Sequence, residues 1–175
     1  GLTGGLFAAS ISHHDGRFYI VNTSFYSGGN FVVTATDPAG PWSDPVWLPD
    51  LRNGIDPSLF FDTDGRAWIV NNDLPEGDKE AYDGHRALWI QEFDAKALKT
   101  IGPRTMIVSG GADISTRPGY VEGPHLYKKD GFYYLTAAEG GTGTSHAQMI
   151  WRSTSPTGPY TPGPTNPILT QRGLD

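Results

Sequence analysis

One frame is written three times in this chain: an apolar run, an Asp-Gly pair, then a second apolar run. It reads GLFAASISHHDGRFYIVNTS from Gly5 to Ser24, GIDPSLFFDTDGRAWIVNND from Gly54 to Asp73, and YVEGPHLYKKDGFYYLTAAE from Tyr120 to Glu139. Asp-Gly between such runs predicts a β-hairpin, because glycine accepts the left-handed backbone that a tight turn requires. After the turns the alternation runs Phe18, Ile20, Asn22, then Ala67, Ile69, Asn71, then Phe132, Tyr134, Thr136. A second mark closes each frame: Gly40-Pro41-Trp42, Gly102-Pro103-Arg104 and Gly158-Pro159-Tyr160. The turn aspartates lie 49 and then 66 residues apart. That period, filled with short strands, predicts the blades of a β-propeller, each a four-stranded sheet. The expected fold is all-β, with blades in units 1–50, 51–115 and 116–175.

If the units are blades, equivalent positions lie at one radius around a common axis. Eight residues ahead of the turn aspartates stand Phe7, Asp56 and Glu122, so a shared phase predicts that the three converge on one pocket. Two carboxylates facing one cavity suit glycosidic bond cleavage, in which the leaving oxygen must be protonated while positive charge develops on the sugar ring. Taken singly, Asp56 reads as a turn cap before Pro57 and Glu122 as a surface acid. Two acids at one phase, each beside a proline or a Gly-Pro, favour a site. Phe7 reads equally as a platform for the apolar face of a pyranose or as a core side chain. Asn71-Asn72-Asp73 ends the second hairpin, where Asn72 would line the cavity. The polar loop Pro75 to Arg86 has the character of a pocket rim.

The combination Gly54-Ile55-Asp56-Pro57-Ser58-Leu59-Phe60-Phe61-Asp62, Glu122-Gly123-Pro124-His125-Leu126-Tyr127-Lys128, Ala138-Glu139-Gly140-Gly141-Thr142 and Asn166-Pro167-Ile168-Leu169-Thr170 resembles glycoside hydrolase family 43. These are five-bladed propeller glycosidases that include β-xylosidases and α-L-arabinofuranosidases. The resemblance covers nearly the whole chain and leans toward the β-xylosidases. It implies inverting hydrolysis of terminal β-1,4-xylosyl or α-L-arabinofuranosyl linkages, with a xylo- or arabino-oligosaccharide as partner. It makes Glu122 the general acid and Asp56 the carboxylate that raises the acid's pKa and orients substrate. Phe7 takes a place where relatives often carry a sugar-packing Trp. The glycines around Thr142 let backbone approach the sugar, and His146 hydrogen-bonds substrate or Glu122 or serves structurally. The resemblance also implies that the general base and further blades lie outside these residues, so that this piece alone is inactive. No cofactor is required; a calcium ion near the axis of the complete propeller would draw its histidine from elsewhere. Two other readings share these features: a non-catalytic carbohydrate-binding propeller with one aromatic per blade, and an endo-arabinanase.

Composition narrows the field further. With no cysteine, disulfides, thiolate zinc sites and cysteine catalysis are excluded. A formal charge of −6 argues against nucleic acid or an anionic membrane, which call for clustered Lys and Arg, whereas a neutral sugar is compatible. No apolar run reaches the roughly 18 residues of a membrane helix, and no signal peptide is visible at the start, which leaves cytoplasm and secretion both open. Incomplete propellers leave open sheet edges, which favour pairing with another chain. No metal-ligand set is expected from the residues: His13 and His14 point to opposite faces of a strand, and Asp62-Thr63-Asp64-Gly65 lacks the downstream glutamate of a calcium loop. Glu139 to Gly143 lacks the GK[ST] ending of a phosphate loop. Strands are expected over Phe7 to Ser12, Arg17 to Thr23, Asn30 to Thr36, Ala87 to Phe93, Thr105 to Ser109 and Ala147 to Ser153. Trp42 and Trp47 are expected to pack between blades, and Arg117 to be solvated or paired with Glu122.

Overall fold

The computed structural model describes residues 5–173, so residues 1–4 of the first unit and 174–175 of the third lie outside it. The chain forms three antiparallel sheets in succession. The first holds β1 (Ser10–His14), β2 (Arg17–Ser24), β3 (Gly29–Ala35) and β4 (Val46–Trp47), side by side in that order. The second holds β5 (Ile55–Phe61), β6 (Ala67–Asp73), β7 (Ala87–Asp94) and β8 (Lys99–Ser109). The third holds β9 (Glu122–Lys129), β10 (Phe132–Glu139), β11 (Ala147–Ser153) and β12 (Thr161–Pro162), with β13 (Leu169–Thr170) also paired to β11. Among the described residues, helix is confined to short 3₁₀ turns at Pro49–Leu51, Glu76–Asp78 and Ile114–Thr116.

The second sheet is the middle layer. Against the first it buries Leu59, Ala67, Ile69 and Phe93, which meet Tyr19, Val21, Val32, Leu48 and Leu51. Against the third it buries Trp68, Val70, Leu88 and Ile90, which meet Leu126, Leu135, Met149 and Trp151. Successive β6 residues thus serve opposite cores, as the two-residue period of a strand dictates, and each fully buried Leu or Ile contributes about 1.5–3 kcal/mol. The first strands of neighbouring sheets are tied directly: Ser12 Oγ on β1 donates to the Leu59 carbonyl on β5 at 3.1 Å, and Ser58 Oγ on β5 donates to the Pro124 carbonyl on β9 at 2.6 Å.

The three Asp-Gly turns are not alike. Asp15-Gly16 and Asp130-Gly131 are two-residue turns with both residues left-handed, φ 49° and 71° in one and 51° and 79° in the other, the conformation that matches strand twist. Pairing therefore runs right up to His14 with Arg17 and to Lys129 with Phe132. The expected first strand, Phe7 to Ser12, is displaced to Ser10–His14. In the middle turn Asp62 N–H donates to the Arg66 carbonyl at 2.8 Å, leaving Thr63, Asp64 and Gly65 between them. That loop is one residue longer, and the extra residue lies ahead of its aspartate, so counts made backward from Asp64 are shifted by one.

Other expectations need correcting as well. Counted from its own two-residue turn, the third-unit equivalents of Phe18, Ile20 and Asn22 are Tyr133, Leu135 and Ala137, all buried, and not Phe132, Tyr134 and Thr136. Gly102-Pro103 lies inside β8, whereas the other two Gly-Pro marks lie in loops. Trp47, on the short edge strand β4, is 42% exposed and stands edge-on to Phe31 of its own sheet, so it packs within a sheet and not between two. Arg117, by contrast, agrees with its solvated reading: it caps the Ile114–Thr116 turn in a left-handed conformation and is exposed.

Candidate active site

Both acids sit where a first strand loses register with its neighbour. On β5, Ile55 pairs with Asn72 and Ser58 with Val70, so Asp56 and Pro57 together oppose one residue. On β9, Glu122 pairs with Ala138 and His125 with Thr136, so Gly123 and Pro124 do the same. Such bulges bend the strand, leave backbone groups unpaired and re-aim side chains. Aligned on the bulges, Asp56 is equivalent to Gly123, and both are left-handed, with φ 54° and 61°. Glu122 is equivalent to Ile55 and, counted from the two-residue turns, to Phe7, whose N–H donates to the Thr23 carbonyl at 3.0 Å. The expectation that Asp56 and Glu122 share one phase is therefore corrected: they stand one residue apart, and the extra residue in the middle turn made the counts coincide.

The acids meet nonetheless. Gly123 N–H, the donor that follows Glu122 and that the bulge frees from the ladder, donates to Asp56 Oδ2 at 3.1 Å. The Asp56 carboxylate therefore lies on the peptide next to Glu122, and both side chains are half-buried. Burial pushes the Asp56 carboxyl up, while the Gly123 N–H and the nearby His125 pull it down. Burial also raises Glu122, the charge of Asp56 adds to the rise, and His146 and Arg86 oppose it. Both carboxyls are held above their ordinary values; the Gly123 N–H stabilises the charged form of Asp56, and the Asp56 charge in turn disfavours that of Glu122. A protonated carboxyl beside a carboxylate, in a half-dry site, can donate a proton to an ether-like oxygen.

Other expected site residues fall in different places. Phe7 is 39% exposed and stacks on Phe25 with ring centres 5.5 Å apart, while Phe25 meets Tyr26 edge-on; it belongs to an exposed aromatic patch and not to the core. Thr142 and His146 are exposed on the loop between β10 and β11, lining a cavity of about 810 Å³ with Thr144, Gln148 and Thr170. His146 Nδ1 lies 2.6 Å from the Gly141 carbonyl. Asn72 departs from its expected place on the cavity wall. It is 3% exposed, its Oδ1 accepts from Ile55 N–H at 3.1 Å, and its Nδ2 donates to the Val121 carbonyl at 3.4 Å.

Arg86, which no motif marked, ends the polar rim loop, pairs with Glu80 and lies over the Tyr120 ring at 5.6 Å. Its one signal in the sequence was the loop that carries it. Glu139, read only as part of a glycine-rich loop, is 4% exposed; it accepts from Ala112 N–H at 3.3 Å and faces Arg172 at 3.4 Å. Among the described residues no three His, Asp or Glu side chains gather where an ion would sit.

Comparison with known proteins points the same way as the motifs. The sequence profile described as Glycosyl hydrolases family 43 matches residues 2–175. A xylosidase/arabinosidase of Butyrivibrio fibrisolvens is 47% identical over 171 residues, which is 97% of this chain and 32% of that protein. A crystal structure of a GH43_12 protein retrieved from capybara gut metagenome superposes with a TM-score of 0.93 at 46% identity, covering 99% of this chain and 33% of that one. The xylan β-1,4-xylosidase from Bacillus halodurans C-125 superposes with a TM-score of 0.84 at 40% identity, covering 98% and 33%. The chain thus spans about a third of the length of these relatives. With a profile match over nearly all its residues, and with the paired acids on neighbouring bulges, the chain belongs to glycosyl hydrolases family 43.

Proposed function

We propose that the protein carrying this chain is an inverting glycosidase, built on a five-bladed propeller, that releases terminal β-1,4-xylosyl or α-L-arabinofuranosyl units from xylo- or arabino-oligosaccharides. The observation that carries the reading is the Asp56 carboxylate bonded to the peptide next to Glu122. Glu122 protonates the glycosidic oxygen as the bond to the sugar breaks. Asp56, ionised beside it, keeps that proton in place beforehand and orients the sugar. Water attacks the opposite face of the anomeric carbon, and its proton passes to a base supplied from outside these residues, roughly 6.5–9.5 Å from the acid. Thr142 and His146, on the adjoining cavity, and the exposed ring of Phe7 are the proposed sugar contacts. The outward faces of the first and third sheets, carrying Ile11 (58% exposed) and Tyr127 (53% exposed), receive the remaining blades, from the same protein or from a second chain. The relatives' names, xylosidase and arabinosidase, favour this reading over a non-catalytic sugar-binding propeller or an endo-arabinanase.

The test uses the full-length protein with aryl β-D-xylopyranoside, aryl α-L-arabinofuranoside and linear arabinan, following release by proton NMR. Early appearance of the anomer opposite to that of the substrate is expected. Xylobiose binding without any release, or internal cleavage of arabinan alone, overturns the reading.

A further inference from the structure

A bulge leaves backbone groups without ladder partners, and at this site side chains from the neighbouring sheet take them. On the third sheet Gly123 N–H goes to Asp56, and the Pro124 carbonyl accepts from Ser58 Oγ at 2.6 Å. Ser58 and Asn72 are 2% and 3% exposed, so neither reaches a bound sugar. Asn72 grips both acid-bearing segments at once: its Oδ1 holds the N–H of Ile55, the residue before Asp56, and its Nδ2 reaches the carbonyl of Val121, the residue before Glu122. Buried polar groups left unpaired are costly, so these bonds fix the second and third sheets relative to each other just where the acids are carried.

We propose that Ser58 and Asn72 are positioning residues that set the spacing between the Asp56 and Glu122 carboxyls, and through it the proton-donating power of Glu122. The inference rests on the reading of Glu122 as general acid. Widening the gap weakens the push of Asp56 on Glu122, since the repulsion falls with distance. Glu122 then loses its proton at lower pH. Sugar binding by the loop residues is untouched.

The experiment compares Ser58→Ala, Asn72→Leu and Glu122→Gln in the full-length protein, on xylobiose and on a dinitrophenyl xyloside whose leaving group needs no proton. Ser58→Ala removes one buried hydroxyl and little volume, and circular dichroism checks that it folds. It is expected to lower kcat on xylobiose about tenfold with KM little changed, to affect the activated substrate less than twofold, and to move the alkaline limb of the kcat profile to lower pH. Asn72→Leu keeps the volume and adds no charge but loses the amide's donor and acceptor, and is expected to change kcat in the same direction. Folded variants with wild-type alkaline limbs and equal losses on both substrates overturn the proposal. If Glu122→Gln shows no selective loss on xylobiose, the acid assignment itself fails, which is a distinct result.

Discussion

A carboxyl group donates protons near neutral pH only when its surroundings disfavour its charge, and at Glu122 burial and the Asp56 charge both do so. Replacing Glu122 by Gln removes the donor and is expected to cost about 10²–10⁴ in rate on substrates with poor leaving groups. The neighbours then give opposite signs. Asp56→Asn removes the like charge, so the alkaline limb of the kcat/KM profile is expected to move to lower pH. Arg86→Ala removes a cation that holds Glu122 down, so the limb is expected to move to higher pH. Equal shifts in one direction for both variants, measured on the full-length protein, contradict the electrostatic reading. Asp56 was legible in the sequence as an acid before a proline. Its left-handed φ of 54° was not, because it follows from a bulge that only strand pairing defines. Arg86 was illegible for a similar reason: it reaches the site across a loop from another sheet.

Individual strands were the clearest feature to read. Ala147–Ser153 and Arg17–Ser24 fall where alternation placed them, to within a residue, since a half-buried strand writes its two-residue period into its side chains. Turn lengths were harder, because Asp-Gly fits both a two-residue turn and the end of a three-residue loop. The longer middle loop has a structural use. Asp62, 5% exposed, takes the Tyr133 hydroxyl at 2.5 Å and Lys128 Nζ at 2.5 Å from the next sheet. Burial pushes its carboxyl up, but the bonds from Lys128, Tyr133 and Thr63 outweigh that and hold it below the ordinary value. A lowered folded pKa adds stability above the unfolded value near 3.9 and loses it as pH falls through the folded value. The raised Glu122 works in reverse, its share being present below the unfolded value near 4.3 and lost as pH rises through the folded one. Tyr133→Phe leaves a buried carboxylate oxygen short of a donor and is expected to cost about 1–3 kcal/mol, read from urea unfolding, with the loss shrinking as pH falls through the Asp62 titration. A loss that stays constant as pH falls through that range rules out Asp62 as the partner that matters.

At the scale of the molecule, three meanders pack face to face and leave the first and third each with an open side. The sequence announced this through its repeats, since each repeat is one sheet that cannot bury both faces alone. It could not announce how the sheets are locked together, because those ties are single side chains such as Ser58 and Asn72, with no period of their own. The proposed acid half of the site lies between the second and third sheets and the proposed base lies outside these residues, so the 175-residue segment is expected to show no measurable turnover by itself while the full-length protein is active. Xylosidase activity of the purified segment that survives Glu122→Ala contradicts both the assignment and the external base. The most direct measurement is a ¹³C NMR titration of the Glu122 carboxyl in the full-length protein, with and without Asp56→Asn. The pairing on neighbouring bulges predicts titration well above the ordinary carboxylate range and a clear fall in the variant; an ordinary pKa that Asp56→Asn leaves unmoved contradicts it.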